Sequence, residues 1–306
     1  MAGILLGVLA VLSAPAAPPA ADTIQDMLGR SVPLQPGPVR LVSLAPSLTE
    51  VVFALGRGDW LVGVSDFCDY PPPARTLPRV GGILAPNLER ILQARPGLVL
   101  VTAEGNSMEG VTPLTRLGLA VFMVRPEGIQ GVLDSIALLG RALQAEARAS
   151  VLAGEIRQQL GRVRDRVQDR GRPRVLYLLW ANPLMAAAPG TYIHDLIETA
   201  GGRNVVQDRT VPYPRIGWEQ VLAWAPEVIV LPEHREGEPQ ALPAEMQRAW
   251  RGVPAVRANR VVSLPSDPIH RPGPRIVEGV ERLARAIHPE AFPAAAARDA
   301  ARTGPR

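Results

Sequence analysis

A short pattern occurs twice in the chain, and it narrows the folds that the chain can adopt. Residues 89–101 and 219–231 both contain, in the same register, a glutamate, an Ile/Val-Leu pair, a proline and a short apolar run. The proline ends a helix in each copy, and the apolar run that follows is typical of a buried strand. Helices that alternate with strands build a mostly parallel sheet. The repeat therefore predicts an α/β chain with two similar lobes.

Other apolar runs fit the same alternation. Strands are predicted at residues 40–45, 61–65, 98–102, 120–124, 174–179, 228–231 and 260–264. Ahead of them, residues 22–38 read as a hairpin-like lead-in that turns at Gly29. Ser47 and Glu50 stand three residues apart, which is the capping-box pattern, so we expect Ser47 to cap a helix at residues 48–55.

A charged helix is predicted between the two halves, from about Ala145 to Asp169. Its apolar residues recur at three- and four-residue spacing and form one stripe: Leu152, Ile156, Leu160, Val163 and Val167. The pattern is also typical of an ordinary amphipathic surface helix. Because the flanking halves resemble each other, we interpret this helix as the one connection between the lobes. A ligand cleft then lies between the lobes, and a single stiff helix predicts only modest closure.

The chain divides into consecutive predicted segments. They are a signal peptide (1–21), an N-terminal α/β lobe (22–128), linker helices that include the long backbone helix (129–171), a C-terminal α/β lobe (172–289) and a disordered tail (290–306). The first segment carries no charge, and its apolar run is too short to span a bilayer and ends in small residues. These features are typical of a secretory signal, so we expect a soluble protein of the periplasm.

Composition argues against several classes of protein. The formal net charge of +4 is too small to indicate a nucleic-acid partner. The chain contains no lysine, which excludes a phosphate-loop lysine and a Schiff-base lysine. Its four histidines lack metal-ligand spacing, which argues against a zinc or manganese receptor. An α/β enzyme is the less favoured alternative, because no nucleophile elbow or dinucleotide glycine fingerprint is present.

Several short segments, in this order, resemble the cobalamin and iron-siderophore branch of the substrate-binding proteins that serve ABC importers. They are residues 43–50, 63–72, 87–89, 201–204, 211–214 and 266–275. The likeness extends from about Arg40 to Ala286 and is greatest to the cobalamin-binding members. It implies two similar α/β lobes with mostly parallel sheets, joined by one long rigid helix, and a cleft for cobalamin or a related corrinoid. A ferric-siderophore or haem receptor of the same family is the alternative.

The resemblance also implies which residues bind the ligand. Phe67 and Tyr213 match aromatic positions that cover the flat corrin face, although ordinary packing is the alternative for both. Asp267 and Arg271 match the polar pair that meets the corrin amides. Ile83 stands where the family usually has tryptophan. Three further aromatic residues could provide the ring that is missing at this position: Tyr70, Trp180 and Trp218.

Glu89 and Glu219, the glutamates of the internal repeat, match the two acidic residues that dock on arginines of the membrane permease. Each could also be only the favourable first-turn acid of its helix. The resemblance implies a monomer that delivers its small-molecule ligand to an ABC permease dimer in the inner membrane. It implies no catalytic residue, no metal site and no cofactor, since the corrinoid is the transported ligand.

Two further residues near the predicted cleft could carry chemistry. We interpret His270 as a surface residue, and the alternative is that it ligates haem iron or cobalt opposite Tyr213. We interpret Cys68, the only cysteine, as a partly buried and inert thiol, and the alternative is an exposed metal ligand. A lone cysteine cannot form an internal disulfide, so export does not depend on one.

Overall fold

The computed structural model describes residues 23–34, 37–233 and 237–292. The predicted signal peptide at 1–21 lies outside the described residues, and so does the predicted tail from residue 293 onward. Within the described part, the chain folds into two α/β lobes joined by long helices, which confirms the fold class predicted from the repeat. None of the described helices is both long enough and apolar enough to cross a membrane.

The first lobe is built on a four-stranded parallel sheet. A short antiparallel hairpin of β1 (Thr23–Gln25) and β2 (Ser31–Pro33) precedes it. The sheet contains β3 (Leu41–Ser43), β4 (Leu61–Val64), β5 (Leu98–Thr102) and β6 (Val121–Val124), in the spatial order β4-β3-β5-β6. Its helices are α1 (Pro46–Ala54), α2 (Leu88–Gln93) and α3 (Met108–Arg116). Every residue of β5 and β6 is buried, as expected for parallel strands covered on both faces.

The helix that the capping-box pattern predicts begins earlier than expected. Helix α1 starts at Pro46 with Ala45 as its N-cap, and no side chain caps it. Proline is favoured at the first helical position because its missing N–H would have no partner there. Ser47 therefore lies inside the helix, and the carboxylate of Glu50 is bound by Arg275 instead. The capping-box prediction is wrong.

Two antiparallel helices connect the lobes, α4 (Gly128–Ala142) and α5 (Glu146–Val167). Helix α5 has 22 residues, which corresponds to about 33 Å, and each apolar residue of the predicted stripe is buried. Gly140 allows the two helices to approach closely, because a Cβ there would lie 2.4 Å from the Cβ of Ala149.

The second lobe is built on a mostly parallel sheet. Its strands are β7 (Arg174–Ala181), β8 (Leu184–Ala186), β9 (Arg203–Asn204), β10 (Val228–Glu233) and β11 (Val261–Pro265). The spatial order is β11-β10-β7-β8, β9 pairs with β7, and only the β7–β8 pair is antiparallel. Its helices are α6 (Tyr192–Thr199), α7 (Trp218–Trp224), α8 (Ala244–Ala249), α9 (Pro254–Arg257), α10 (Asp267–His270) and α11 (Ile276–Ile287).

The internal repeat is reproduced in the backbone. In each copy a short helix, α2 or α7, leads through a proline into a buried strand, β5 or β10. The residue before that proline has a positive φ in both copies, 46° at Arg95 and 47° at Ala225. Left-handed backbone is uncommon for side chains of this kind. The two copies thus share a local conformation as well as a sequence pattern.

One apolar core continues from the first lobe to the second. It includes Leu41 of β3, Ile136 of α4, Leu160 of α5, Val175 of β7 and Leu283 of α11. Smaller clusters lie on the far face of each sheet. The shared core holds the lobes at a fixed separation, and the space between their facing loops is left as a cleft.

Candidate functional site

A cavity of about 410 Å³ lies between the two lobes. Its walls come from loops that follow the strands of both sheets, where ligands of α/β proteins commonly bind. The side chains that line it include Phe67, Ile83, Thr102, Glu104, Leu179, Tyr192, Tyr213, Asp267, His270 and Arg271. Aromatic and aliphatic groups thus face carboxylates and hydroxyls across one open cleft.

The structure brings most of the predicted ligand-binding residues together at this cavity. Those that line it are Phe67, Ile83, Tyr213, Asp267 and Arg271. The other two predicted residues, Tyr70 and Trp180, are not part of the lining. The ring of Tyr70 lies under the guanidinium of Arg275, at 4.2 Å, and Trp180 lies at the end of β7 with 52% of its side chain exposed. Trp218 lies in a separate groove of the second lobe.

The two aromatic walls are held in different ways. Phe67 stands on the turn after β4 and is 57% exposed, so it presents a free ring face to the cleft. Tyr213 is half-buried in the segment opposite. The backbone on both sides of Tyr213 is fixed, because Pro212 and Pro214 accept hydrogen bonds from the N–H groups of Ala188 (2.9 Å) and Ala186 (3.1 Å). Burial raises the pKa of Tyr213, so its phenol stays neutral.

The loop after β5 adds an acidic group that sequence reasoning missed. The buried amide of Asn106 fixes this loop: its Oδ1 accepts from the N–H of Thr102 (2.9 Å), and its Nδ2 donates to the carbonyls of Leu44 (3.1 Å) and Ile83 (2.8 Å). Glu104 stands on the loop and lines the cavity. The side chain is exposed to the open cleft, and the surrounding cleft walls desolvate its carboxylate. This desolvation, together with the charge of Glu127, raises the pKa of Glu104 to about 7.

Arg271 is the only arginine among the lining residues that the structure describes, and its charge is already paired. Its guanidinium contacts Asp69 at 2.5 Å, Asp267 at 2.8 Å and Glu50 at 3.5 Å. Burial acts to raise the pKa of Asp69, but Arg271 outweighs it and holds that pKa below the ordinary value. The predicted polar pair of Asp267 and Arg271 is therefore an ion pair within the second lobe that also reaches the first.

A second arginine joins the lobes directly. Arg275 donates from Nε and Nη2 to the two carboxylate oxygens of Glu50, at 2.9 and 2.7 Å, and the Glu50 side chain is only 2% exposed. Burial raises the pKa of the Glu50 carboxyl, and the hydrogen bond from Arg275 opposes this rise without cancelling it. The sequence places these residues in separate motifs and gives no sign that they pair.

His270 and Cys68 both occupy positions other than those expected from the sequence. His270 lines the cavity and is half-buried, and the buried hydroxyl of Tyr177 lies 2.9 Å from its Nε2. The expectation of a surface histidine is wrong, because α10 turns this side chain toward the second sheet. Cys68 is fully buried, with its sulfur within hydrogen-bonding distance of Thr49 and Ser65, so it is more buried than expected.

A polar cleft of about 440 Å³ adjoins the cavity and shares Phe67, Ser266, Asp267 and Arg271 with it. Charged groups of both signs line this cleft: Asp66, Asp69, Glu233, Arg275, Glu278 and Arg282. In the described residues, no group of three or more His, Cys, Asp or Glu side chains is arranged to hold a metal ion. The inter-lobe space therefore combines an apolar, aromatic part with a polar part.

Glu89 and Glu219 occupy equivalent places on the two lobes. Each is the second residue of its helix, α2 or α7, and each is exposed. Asn87 caps α2, and the Gln220 side chain accepts from the N–H of Gly217 (2.6 Å) at the start of α7. Neither glutamate thus serves as the cap of its own helix.

Known proteins of similar sequence support the resemblance. A family model described as periplasmic binding protein matches residues 41–268. A vitamin B12-binding protein of Vibrio cholerae is 33% identical over 245 residues, which is 80% of this chain and 87% of that protein. A vitamin B12-binding protein of Photorhabdus laumondii is 32% identical over 256 residues, 83% of this chain and 90% of that protein.

Solved structures agree with these sequence matches. The periplasmic vitamin B12 binding protein BtuF of Vibrio cholerae superposes with a TM-score of 0.72 at 32% identity, covering 84% of this chain and 99% of that one. The periplasmic heme-binding protein BhuT, in complex with two hemes, gives 0.73 at 27% identity, covering 83% and 100%. The resemblance inferred from the sequence motifs is confirmed.

Proposed function

The chain belongs to the periplasmic binding protein family, and we propose that it captures cobalamin or a related corrinoid in its inter-lobe cavity for an ABC importer. Its similarity to vitamin B12-binding proteins motivates the choice of vitamin B12. The observation that carries the proposal is the charge balance of the cavity. The lining has Glu104 and Asp267 as acids, and the one arginine, Arg271, already contacts carboxylates on both lobes.

That charge balance favours a ligand whose ring carries no carboxylates at its periphery. Haem carries propionate carboxylates, and a buried carboxylate needs a cation or several hydrogen-bond donors. Corrinoids carry amides around the ring, and amides pair with carboxylates and hydroxyls without adding negative charge. Asp267 and Glu104 can accept hydrogen bonds from amide N–H groups, and Phe67 and Tyr213 can cover the apolar ring.

The alternative is a haem or ferric-siderophore receptor of the same family. The likeness to BhuT, at 27% identity, keeps this alternative open. Against it, the described lining offers no arginine without a carboxylate partner. His270 would have to leave the hydroxyl of Tyr177 for its Nε2 to bind iron. We therefore rank the corrinoid first.

The proposal also covers the cellular location of the protein and its protein partner. We place it in the periplasm as a monomer without catalytic activity, delivering its ligand to a permease dimer in the inner membrane. Glu89 and Glu219 would dock on basic groups of the permease, since exposed carboxylates at equivalent points of two lobes provide a two-point contact. Both carboxylates are available for this contact, because both side chains are exposed and neither caps its helix.

Titration calorimetry of the mature protein with cyanocobalamin tests the proposed ligand. We expect one-to-one binding with a dissociation constant on the order of 1 µM or tighter, and weaker binding of hemin. Tight hemin binding without cyanocobalamin binding would move the assignment to the haem receptors. Binding of neither ligand would direct the search to siderophores.

A further inference from the structure

A separate groove of about 580 Å³ lies on the second lobe, away from the ligand cavity. It runs between the β7–β8 hairpin, the start of α7 and helix α8. Most of its lining is apolar: Ala181, Leu184, Ile216, Trp218, Pro243, Met246, Ala249 and Trp250. None of the residues that line the ligand cavity belongs to this lining. The groove therefore has no part in capture of the ligand as proposed above.

Glu219 stands at the edge of this groove. Its Oε2 lies 3.1 Å from the place that a Cβ on Gly217 would occupy, and Gly217 is a lining residue. None of the described residues forms a hydrogen bond or ion pair with Glu219, whereas Glu89 accepts a hydrogen bond from Gln93 (3.2 Å). The docking carboxylate of the second lobe is thus unpaired and borders an apolar groove.

The exposed surface around the groove has a mixed character. Trp218 is 51% exposed, and it shares a face of α7 with Leu222, which is 42% exposed. Glu245 also lines the groove and is exposed. With Glu219 and Glu245 at its edge, the groove has apolar walls and a negative rim. Such a surface is complementary to an apolar side chain that is flanked by arginine or lysine.

We propose that this groove receives an apolar side chain from a periplasmic loop of the permease, next to the basic residue that pairs with Glu219. The proposal rests on the docking role assigned above and adds a second contact to it. A tryptophan beside a desolvated charge pair is the kind of contact that carries most of the binding energy of an interface. The equivalent place on the first lobe has the leucine, Leu92, but no tryptophan, so the two lobes dock unequally.

Uptake of radiolabelled cyanocobalamin by the native host tests this contact. Trp218→Ser and Glu245→Arg should each lower the initial uptake rate about tenfold, while the calorimetric affinity for cyanocobalamin stays within about twofold of wild type. Val151→Ser and Asp165→Arg replace an apolar residue by serine and an acid by arginine at exposed sites of α5, and they should leave uptake unchanged. Both test residues are exposed, so the variants should fold.

Each other outcome has a distinct meaning. Normal uptake by both groove variants overturns the groove contact but leaves corrinoid import intact. Weakened cyanocobalamin binding in these variants also overturns it, because the groove would then belong to ligand capture. A dimer of the wild-type protein in light scattering, abolished by Trp218→Ser, would assign the groove to a second copy. A wild-type protein that neither binds nor imports cyanocobalamin would contradict the proposed function itself.

Discussion

Glu50 and Arg275 join the two lobes through a bidentate ion pair, with N–O distances of 2.9 and 2.7 Å, at a position where the glutamate is almost fully buried. Helix α1 supplies the acid, and the residue just before α11 supplies the base. Tyr70 of the first lobe packs on the other side of the same guanidinium. Lobe separation therefore requires breaking a buried charge pair in addition to bending the connecting helices.

Loss of Arg275 should destabilise the fold strongly. Arg275→Ala leaves the Glu50 carboxylate buried with only the longer contact from Arg271, so we expect a loss of about 3 kcal/mol in the free energy of unfolding. Arg282→Ala is the matched control, since Arg282 pairs with the exposed Glu278, and should cost less than about 1 kcal/mol. Urea unfolding measures both. Equal losses in the two variants would contradict the role given to the inter-lobe pair.

The aromatic walls should decide ligand affinity. Tyr213→Ala removes a ring that lines the cavity, and we expect cyanocobalamin affinity to fall about 30-fold. Trp180→Ala removes an aromatic side chain that lies outside the lining and should change the affinity less than about twofold. Calorimetry of the two variants compares them directly. The larger loss in Trp180→Ala would mean that the ligand extends toward the end of β7.

Glu104 should make stability depend on pH. Its pKa in the folded protein, about 7, lies above the ordinary glutamate value of 4.5, so the folded state holds the proton more tightly. The stability from this group is complete below pH 4.5 and is lost as the pH rises through 7. Glu104→Gln should therefore raise the melting temperature at pH 8, by about 2 °C since the group borders the open cavity, and leave it unchanged at pH 4. Equal melting temperatures at pH 8 would contradict the raised pKa.

Glu89 and Glu219 should be needed for delivery of the ligand to the permease, and their loss should not change ligand binding. Glu89→Ala combined with Glu219→Ala should lower uptake more than about tenfold, with unchanged affinity for cyanocobalamin. Glu109→Ala combined with Glu146→Ala is the control, because these are also exposed first-turn acids, of α3 and α5. If both double variants lose uptake equally, the glutamates of the repeat act only through their helices.

The parts of this fold that the sequence predicts are those set by short-range patterns. The stripe on α5 and the helix-proline-strand repeat need only neighbouring residues, and both are present in the structure. Glu50 and Arg275 are 225 residues apart, and no local pattern relates them. Glu50 satisfies a capping pattern equally well, and this led to the wrong helix start.

Glu104 shows a different limit. It lies in a loop whose position depends on Asn106, through hydrogen bonds to residues of two other loops. The sequence of a short loop carries no sign that cleft walls and a neighbouring acid will raise the pKa of one of its glutamates. The motif at residues 63–72 places Tyr70 near the cleft by sequence order, but only the structure shows that its ring packs on Arg275 outside the cavity lining.

The apolar core that passes through α4, α5 and α11 also bears on how the protein reaches its folded state. Leu41 and Leu283 belong to one continuous cluster, so neither half of the chain can bury all of its apolar surface alone. We infer that the folding of the two lobes is coupled, because the last long helix, α11, packs against α5 and α6 within this shared cluster. A chain that ends before α11 should therefore aggregate or be degraded.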